Sequence, residues 1–91
     1  VFHTDDLIAQ FDQALANVVA VVTAAGAAVT DVASMTVYVT DIVGYRARLR
    51  ELSPVWRARM GKHFPAMALV AVTALVEPRA LVEIQATAIV G

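Results

Sequence analysis

The chain has 91 residues, of which 59% are apolar and 16% are charged, and its formal net charge at pH 7 is −1. This length accommodates one domain at most, and the nearly balanced charge gives no general attraction to nucleic acid or anionic membranes. Because the chain contains no cysteine, disulfides, thiolate catalysis and cysteine-based zinc sites are excluded.

The apolar fraction exceeds what one small monomer can hide, because a chain of this size leaves roughly a third of its unfolded surface exposed after folding. We therefore expect part of the apolar surface to be buried between subunits. The long apolar run at 66–76 is too short to cross a bilayer, and the chain does not open on a signal-peptide pattern. These features predict a soluble cytoplasmic protein without a membrane segment.

The first predicted element is an amphipathic helix that starts at Thr4 and stops at Gly26. Thr4 is the expected N-cap, Asp5 and Asp6 place negative charge in the first turn, and glycine is a common C-terminal stop. Helical spacing assigns an apolar stripe to the core. Its members are Leu7, Ile8, Phe11, Ala14, Leu15, Val18, Val19, Val21 and Val22.

The segment 32–40, VASMTVYVT, alternates in polarity and is rich in β-branched residues, which predicts a strand. One face would carry Ala33, Met35, Val37 and Val39, and the other Ser34, Thr36, Tyr38 and Thr40. A second helical region follows at 43–60. An interior proline is unfavourable in a helix, so Ser53 and Pro54 predict a kink or a new helix start, and Gly61 ends the region.

Two strands complete the predicted fold, at 68–76 and 80–90, with a turn at Glu77, Pro78 and Arg79. The first is almost entirely apolar, as expected of a strand buried on both faces. The second alternates, with Val82, Ile84, Ala86 and Ala88 opposite Glu83, Gln85 and Thr87. The order α-β-α-β-β predicts an α+β domain with two helices on one sheet face, and subunit association is the expected cover for the other face.

The residues give little support for metal, phosphate or nucleophile chemistry. His3 and His63 lie far apart, without a carboxylate at ligand spacing on the same element, so we expect no metal site and no cofactor. The glycines stand alone, which argues against a phosphate-binding loop. Ser34 lies mid-strand and Ser53 reads as a helix cap, so neither has the context of an activated nucleophile.

The segment 44–64 carries six basic residues and one acidic residue, and it could bind an anionic ligand or nucleic acid. However, no aromatic residue alternates with the arginines as a stacking platform. The solvated face of an amphipathic helix is therefore the favoured interpretation, and nucleic acid is not the expected partner.

Glu83 is the main candidate for chemistry, because a carboxylate in a mostly apolar strand must be paired, hydrated or directed into a cleft. Such a group could move protons if its surroundings raised its pKa. The alternative is an ordinary outward-facing residue beside Gln85, which the strand pattern alone favours.

Four segments in chain order resemble the RidA family, also called YjgF/YER057c/UK114. They are AQFDQALANVVAVVTAAGA in the first helix, DVASMTVYVTD around the first strand, FPA before the second strand, and LVEPRALVEIQATAIV near the end. The resemblance covers essentially all 91 residues, and TVYVTD together with ALVEIQA at this spacing is its most specific part.

The resemblance implies a single domain over 1–91 with a chorismate-mutase-like fold that assembles as a homotrimeric barrel. Helices would wrap the outside, sheets would line the centre, and small-molecule clefts would lie between subunits. Members of the family usually have an N-terminal hairpin and strand before the first helix, which 1–91 does not contain. Those strands normally contribute a tyrosine, a serine and a glycine to the cleft.

Family members with established activity hydrolyse reactive enamines and imines, such as 2-aminoacrylate, to a keto acid and ammonia. An arginine directly after Pro-Ala holds the substrate carboxylate, and a glutamate in the last strand positions the water. Glu83 matches that glutamate, whereas the arginine position is occupied by Met67.

Methionine cannot form the two charge-assisted hydrogen bonds that a guanidinium donates to a carboxylate, although it suits an apolar ligand or packing. Arg79, or an arginine of a neighbouring subunit, is the candidate substitute. Two hypotheses therefore stand: a hydrolase of imines that lack a carboxylate, with Glu83 orienting water, or a non-catalytic ligand-binding or interaction trimer. Classical 2-imino acid deamination is not expected.

Overall fold

A computed structural model describes residues 6–90 as a three-stranded sheet with helices on one face. The predicted α+β class and element order are confirmed, except that the second helical region is divided into two helices. The elements are α1 (Leu7–Ala24), β1 (Val32–Val39), α2 (Ile42–Ala47), α3 (Leu49–Met60), β2 (Ala66–Ala71) and β3 (Val82–Ala88), with a short 3-10 turn at Val29–Asp31.

The cap of α1 is Asp6, whose carboxylate accepts a hydrogen bond from the Ala9 N–H at 2.9 Å. The expected cap, Thr4, and the neighbouring Asp5 lie outside the described residues. At the other end, Gly26 has a φ of 83°, a conformation that side chains with a Cβ rarely adopt. The prediction that Gly26 terminates the helix is therefore confirmed.

By length and composition α1 could cross a membrane, since its mean hydropathy is 1.4 over 18 residues. The sequence-based search for a membrane segment overlooked this helix. Core helices of soluble proteins meet the same criterion, and one side of α1 packs into the core through Leu7, Phe11, Leu15 and Val22. Val21, which was expected in the apolar stripe, is 69% exposed.

The sheet has the order β2-β1-β3, with β1 parallel to β2 and antiparallel to β3. The last two strands therefore do not form a hairpin, because β1 lies between them. Their connection passes the end of β1, where the Val72 N–H donates to Val39 O and the Thr40 N–H donates to Leu81 O. The predicted turn is present, closed by a bond from the Ala80 N–H to Glu77 O at 3.0 Å.

The alternation predicted for β1 is confirmed from Met35 onward, where Met35, Val37 and Val39 are buried. It fails at the start of the strand, because the pairing with β3 shifts between Val32 and Ser34. A bulge of this kind adds one residue to the strand and changes which side chain faces the core. Val32 is consequently buried, and Ala33, predicted to be in the core, is exposed.

The second helical region divides at Arg48 and not at Ser53 and Pro54. Of the two predicted outcomes, a kink or a new helix start, the new start was therefore wrong. Pro54 lies inside α3, although it cannot donate a backbone hydrogen bond to the preceding turn. The buried side chains of Leu52, Trp56 and Met60 recur every four residues across the proline. Their packing holds the helix together, and tertiary contact outweighs local propensity here.

The nearly apolar β2 was predicted to be buried on both faces. For the isolated chain this prediction was wrong, because all six residues of β2 are exposed. It also ends at Ala71, earlier than predicted. β2 is an edge strand, and its only sheet partner among residues 6–90 is β1. Its exposed apolar side chains include Met67, Leu69 and Val70, so part of the excess apolar content of the sequence lies at this edge.

A buried glutamine attaches the beginning of β3 to α1. Gln10 is 2% exposed, its amide nitrogen donates to Arg79 O at 2.9 Å, and its amide oxygen accepts from the Leu81 N–H at 2.7 Å. The side chain thus satisfies one backbone acceptor and one backbone donor of the segment just before β3. This contact fixes where β3, and with it Glu83, begins.

We predict that Gln10→Met, which keeps the side-chain volume, lowers the free energy of unfolding by about 1–3 kcal/mol, because a partly buried carbonyl and a partly buried N–H lose their partners. Urea denaturation at fixed protein concentration measures the change. Gln13→Met is the matched control, since Gln13 is exposed and bonds only Asn17 within its own helix. Equal stability of the two variants would contradict the role assigned to Gln10.

Ion pairs join α1 to the other helices at the surface. Arg59 donates to both carboxylate oxygens of Asp12, and Arg48 donates to Asp6 at 3.0 Å. The Arg59 guanidinium lowers the pKa of Asp12, and the Ala9 N–H, followed by Arg48, lowers the pKa of Asp6. A carboxylate with a lowered folded-state pKa stabilises the fold above its unfolded pKa and ceases to do so as pH falls through the folded value.

We predict that Asp12→Asn lowers stability at pH 6. The difference from the wild type should begin to shrink as pH falls below about 4, the ordinary range of an aspartate pKa, and should disappear only below the lowered folded-state pKa of Asp12. The effect is small because the two side chains are 43% and 40% exposed. Thermal unfolding from pH 3 to 7 measures it. In an Arg59→Gln background the same substitution should have almost no effect, and an undiminished effect there would contradict the pairing.

Candidate functional site

Glu83 lies on the face of the sheet that no helix of residues 6–90 covers. Its neighbour Val82 is buried, so the alternation of β3 directs Glu83 away from the core. Its partner across the sheet is Tyr38. Glu83 is exposed, and no described side chain forms an ion pair with its carboxylate.

The same face carries a polar pair that the sequence did not reveal. The Tyr38 hydroxyl donates to the Gln85 amide oxygen at 3.1 Å, and the two side chains lie diagonally across β1 and β3. Alternation placed both residues on polar faces of their strands. The sequence could not show that these strands pair in a register that puts Tyr38 opposite Glu83.

Met67 lies on the opposite face of the sheet. Its partner in β1 is Met35, which is buried against the helices, and paired residues of neighbouring strands point to the same side. Met67 is nevertheless 45% exposed, because it belongs to the uncovered edge strand.

One chain therefore does not bring Met67 and Glu83 together. Their β1 partners, Met35 and Tyr38, are three residues apart, and β1 separates their strands. These offsets place the two Cα atoms about 14 Å apart, with side chains on different faces. A cleft that contains both residues requires Met67 from one subunit and Glu83 from another.

Arg79, the candidate substitute for the arginine, lies beyond the far end of the sheet. β3 starts at Val82, opposite Val39, whereas Met67 is opposite Met35, about 13 Å away along β1. The Arg79 backbone bonds Gln10, and the Arg79 N–H contacts the Glu77 carboxylate at 3.3 Å. Within one chain, Arg79 cannot take over the position of Met67.

A groove with a volume of about 380 Å³ runs between α1 and the outer edge of β3. Because β3 is an edge strand, Glu83 borders this groove as well as the open face. The α1 wall presents the amides of Gln13 and Asn17 among valine side chains. Neither Met67 nor Arg79 lines the groove, so the groove is separate from the exposed edge of β2 on which Met67 lies.

Comparisons with known proteins agree with this architecture. The chain matches the family described as Endoribonuclease L-PSP over residues 1–90. The chain belongs to that family. A search of curated proteins found no match.

Solved structures of similar proteins superpose closely on the chain. A member of the YjgF/YER057c/UK114 family from Mycobacterium tuberculosis is 41% identical with a TM-score of 0.80, and the match covers 96% of this chain and 70% of that one. A Rid-family protein of unknown function from Yersinia pestis is 34% identical with a TM-score of 0.82, covering 94% and 64%. The E. coli YjgF gene product is 33% identical with a TM-score of 0.79, covering 92% and 65%. The chain thus spans about two thirds of the length of these relatives.

In this L-PSP family chain, a set of contacts positions the entrance to β2. The Trp56 ring stacks on Phe64 with centroids 5.9 Å apart, and the Trp56 indole N–H donates to His63 O at 3.2 Å. The His63 ring contacts Val32 O at 2.7 Å. These contacts attach the residues before Met67 to both α3 and β1.

The six basic side chains of the segment 44–64 are partly neutralised by acidic partners. Arg48 pairs with Asp6 and Glu51, and Arg59 pairs with Asp12. The other basic side chains of the segment are exposed: Arg46, Arg50, Arg57 and Lys62. Two arginines thus serve to join helices, in keeping with a solvated helix face. Over residues 6–90, no three histidine, aspartate or glutamate side chains are grouped as metal ligands.

Proposed function

We propose that the protein is a homotrimer that binds a small molecule in clefts between subunits and hydrolyses an imine or enamine lacking a carboxylate. The observation that carries the proposal is the placement of Met67 and Glu83 on opposite faces of one sheet. The two residues match the carboxylate-binding and water-positioning positions of related proteins. They could line one cleft only if Met67 came from one subunit and Glu83 from another.

Self-association is supported by the exposed edge of the sheet. β2 leaves Met67 and Leu69 uncovered on one face and Val70 on the other, and Phe64, two residues before the strand, is also exposed. Exposed apolar side chains on a small chain are typical of a protein interface, and an uncovered edge strand is prone to association. A second copy of the chain is the cover that family membership favours.

The proposed reaction needs a proton acceptor and a water molecule, and no cofactor. The Glu83 carboxylate would accept a proton from water as the oxygen attacks the carbon of the C=N bond. The proton would then pass to the nitrogen to give a carbinolamine, an enamine having first tautomerised to its imine. The carbinolamine hydroxyl would lose its proton to the Glu83 carboxylate, which would pass it to the amino nitrogen as the C–N bond breaks, so that ammonia and a carbonyl compound leave. A single positioned carboxylate typically accelerates such proton transfers by about 10²–10⁴-fold.

Met67 determines which substrates fit. A guanidinium at this position would form two charge-assisted hydrogen bonds to a substrate carboxylate, each worth about 1.5–3 kcal/mol. Methionine forms neither bond and would leave the carboxylate without a partner, whereas its thioether packs well on apolar groups. The proposed substrates are therefore small, apolar and free of a carboxylate.

The second candidate function is ligand binding without turnover on the same trimeric scaffold. It is favoured by the isolation of the Glu83 carboxylate, which no described side chain orients by an ion pair. A poorly oriented general base contributes little, so Glu83 could serve recognition alone. In either case we place the protein in the cytoplasm, with neither nucleic acid nor a membrane as partner.

We predict that the protein accelerates ammonia release from an imine generated enzymatically from a primary amine, but not from a 2-imino acid such as 2-aminoacrylate. Glu83→Gln should lower the rate by at least about 100-fold, because the proton acceptor is lost. Glu77→Gln is the matched control and should keep the wild-type rate.

In the same assay, Met67→Arg should confer turnover of the 2-imino acid, since it restores a partner for the carboxylate. Wild-type rates in Glu83→Gln would refute a catalytic role for that residue. No acceleration with either substrate would favour the binding trimer.

We predict that sedimentation finds a trimer and that Leu69→Asp shifts it towards monomer, because a charge would be buried in the proposed interface. Val43→Asp is the matched control, as Val43 is an exposed valine that belongs to α2 and not to β2. A well-folded wild-type monomer at micromolar concentration would overturn the proposed assembly and the composite cleft.

A further inference from the structure

The three strands that the structure describes carry a single charged side chain, that of Glu83. Their remaining side chains on the open face are hydroxyls, amides and small apolar groups. A ligand resting on this face therefore meets one negative charge without a neighbouring cation from the same sheet. Such a surface attracts a positively charged group and repels a carboxylate or phosphate.

The register places specific groups beside that charge. Tyr38 is directly opposite Glu83 in the sheet, and paired side chains on one face lie about 5 Å apart at Cβ. On its other side Tyr38 is paired with Val70 of β2. The phenol ring thus stands between a carboxylate and an apolar strand.

The hydrogen bond from Tyr38 to Gln85 determines which atoms of the two side chains remain free to donate or accept. Because the Gln85 amide oxygen accepts the phenol proton, its NH₂ group remains able to donate. The phenol oxygen in turn keeps its acceptor capacity. The ring face is a further favourable contact for a cation, since aromatic rings attract ammonium and iminium groups.

We propose that Tyr38 is a specificity-determining residue that, with Glu83 and Gln85, recognises the protonated nitrogen of an amine or iminium ligand. The inference rests on the proposed small-molecule cleft and names the class of ligand that this cleft takes: a carboxylate-free molecule with an apolar body and one cationic nitrogen. Glu83 supplies the opposite charge, the Tyr38 ring supplies the aromatic face, and Gln85 holds the phenol in place.

Equilibrium binding to the full chain tests the proposal with three probes of similar size: benzylammonium, benzyl alcohol and benzoate. Titration calorimetry, together with amide chemical-shift mapping, should show saturable binding of benzylammonium at β1 and β3. Its affinity should exceed that of benzyl alcohol by about tenfold, and benzoate should not bind.

The variants separate Tyr38 from the rest of the face. Tyr38→Leu should weaken benzylammonium binding by about tenfold and leave benzyl alcohol almost unchanged, because only the cation uses the ring face. Tyr38→Phe keeps the ring and should lose less than Tyr38→Leu. Glu83→Gln should abolish the preference for the cation, and Thr87→Val, further along the same face, should have no effect. Unchanged melting temperatures would show that the variants fold.

The outcomes distinguish this inference from the proposed hydrolysis. Preference for benzylammonium that depends on Tyr38, without any imine turnover, would support recognition and refute hydrolysis. Turnover without that preference would refute the role of Tyr38 and leave hydrolysis standing. Binding of benzoate as tight as that of benzylammonium, or no saturable binding of any probe, would overturn the inference.

Discussion

The pairing register of β1 is the constraint on which the arrangement of this molecule depends. β1 is hydrogen-bonded to both other strands, so it decides which residues of β2 and β3 share a face and how far apart they stand. A shift of one residue in either ladder would exchange the core face for the open face. The bulge at Val32 and Ser34 brings the first part of the strand into agreement with the rest of the core.

The side-chain periodicity of the sequence predicted the strands and helices well, because each buried face leaves a repeating apolar pattern. It failed where a tertiary contact decides the outcome. Pro54 is tolerated because the packing of Trp56 and Met60 continues past it, and no local pattern shows that packing. The exposure of β2 was missed for a related reason, since composition shows that a strand is apolar but not which molecule covers it.

The candidate site was predictable in part. Glu83 was identified from its odd position in an apolar strand and from ALVEIQA, and the open face is where alternation directs it. Its distance from Met67 depends on which strand lies between the two residues, and local sequence patterns do not reveal strand order. Tyr38 was missed for the same reason, as its closeness to Glu83 arises from pairing between residues 45 positions apart.

The opposed faces of Met67 and Glu83 have a genetic consequence if the cleft forms between subunits as proposed. Each site would then draw one position from each of two polypeptides. Two alleles, one damaged at position 67 and the other at 83, could complement each other when expressed in the same cell, because mixed oligomers would contain some sites with both intact residues. Sites built within one polypeptide do not show such rescue. Complementation between the two alleles would therefore indicate that Met67 and Glu83 of one site come from different subunits.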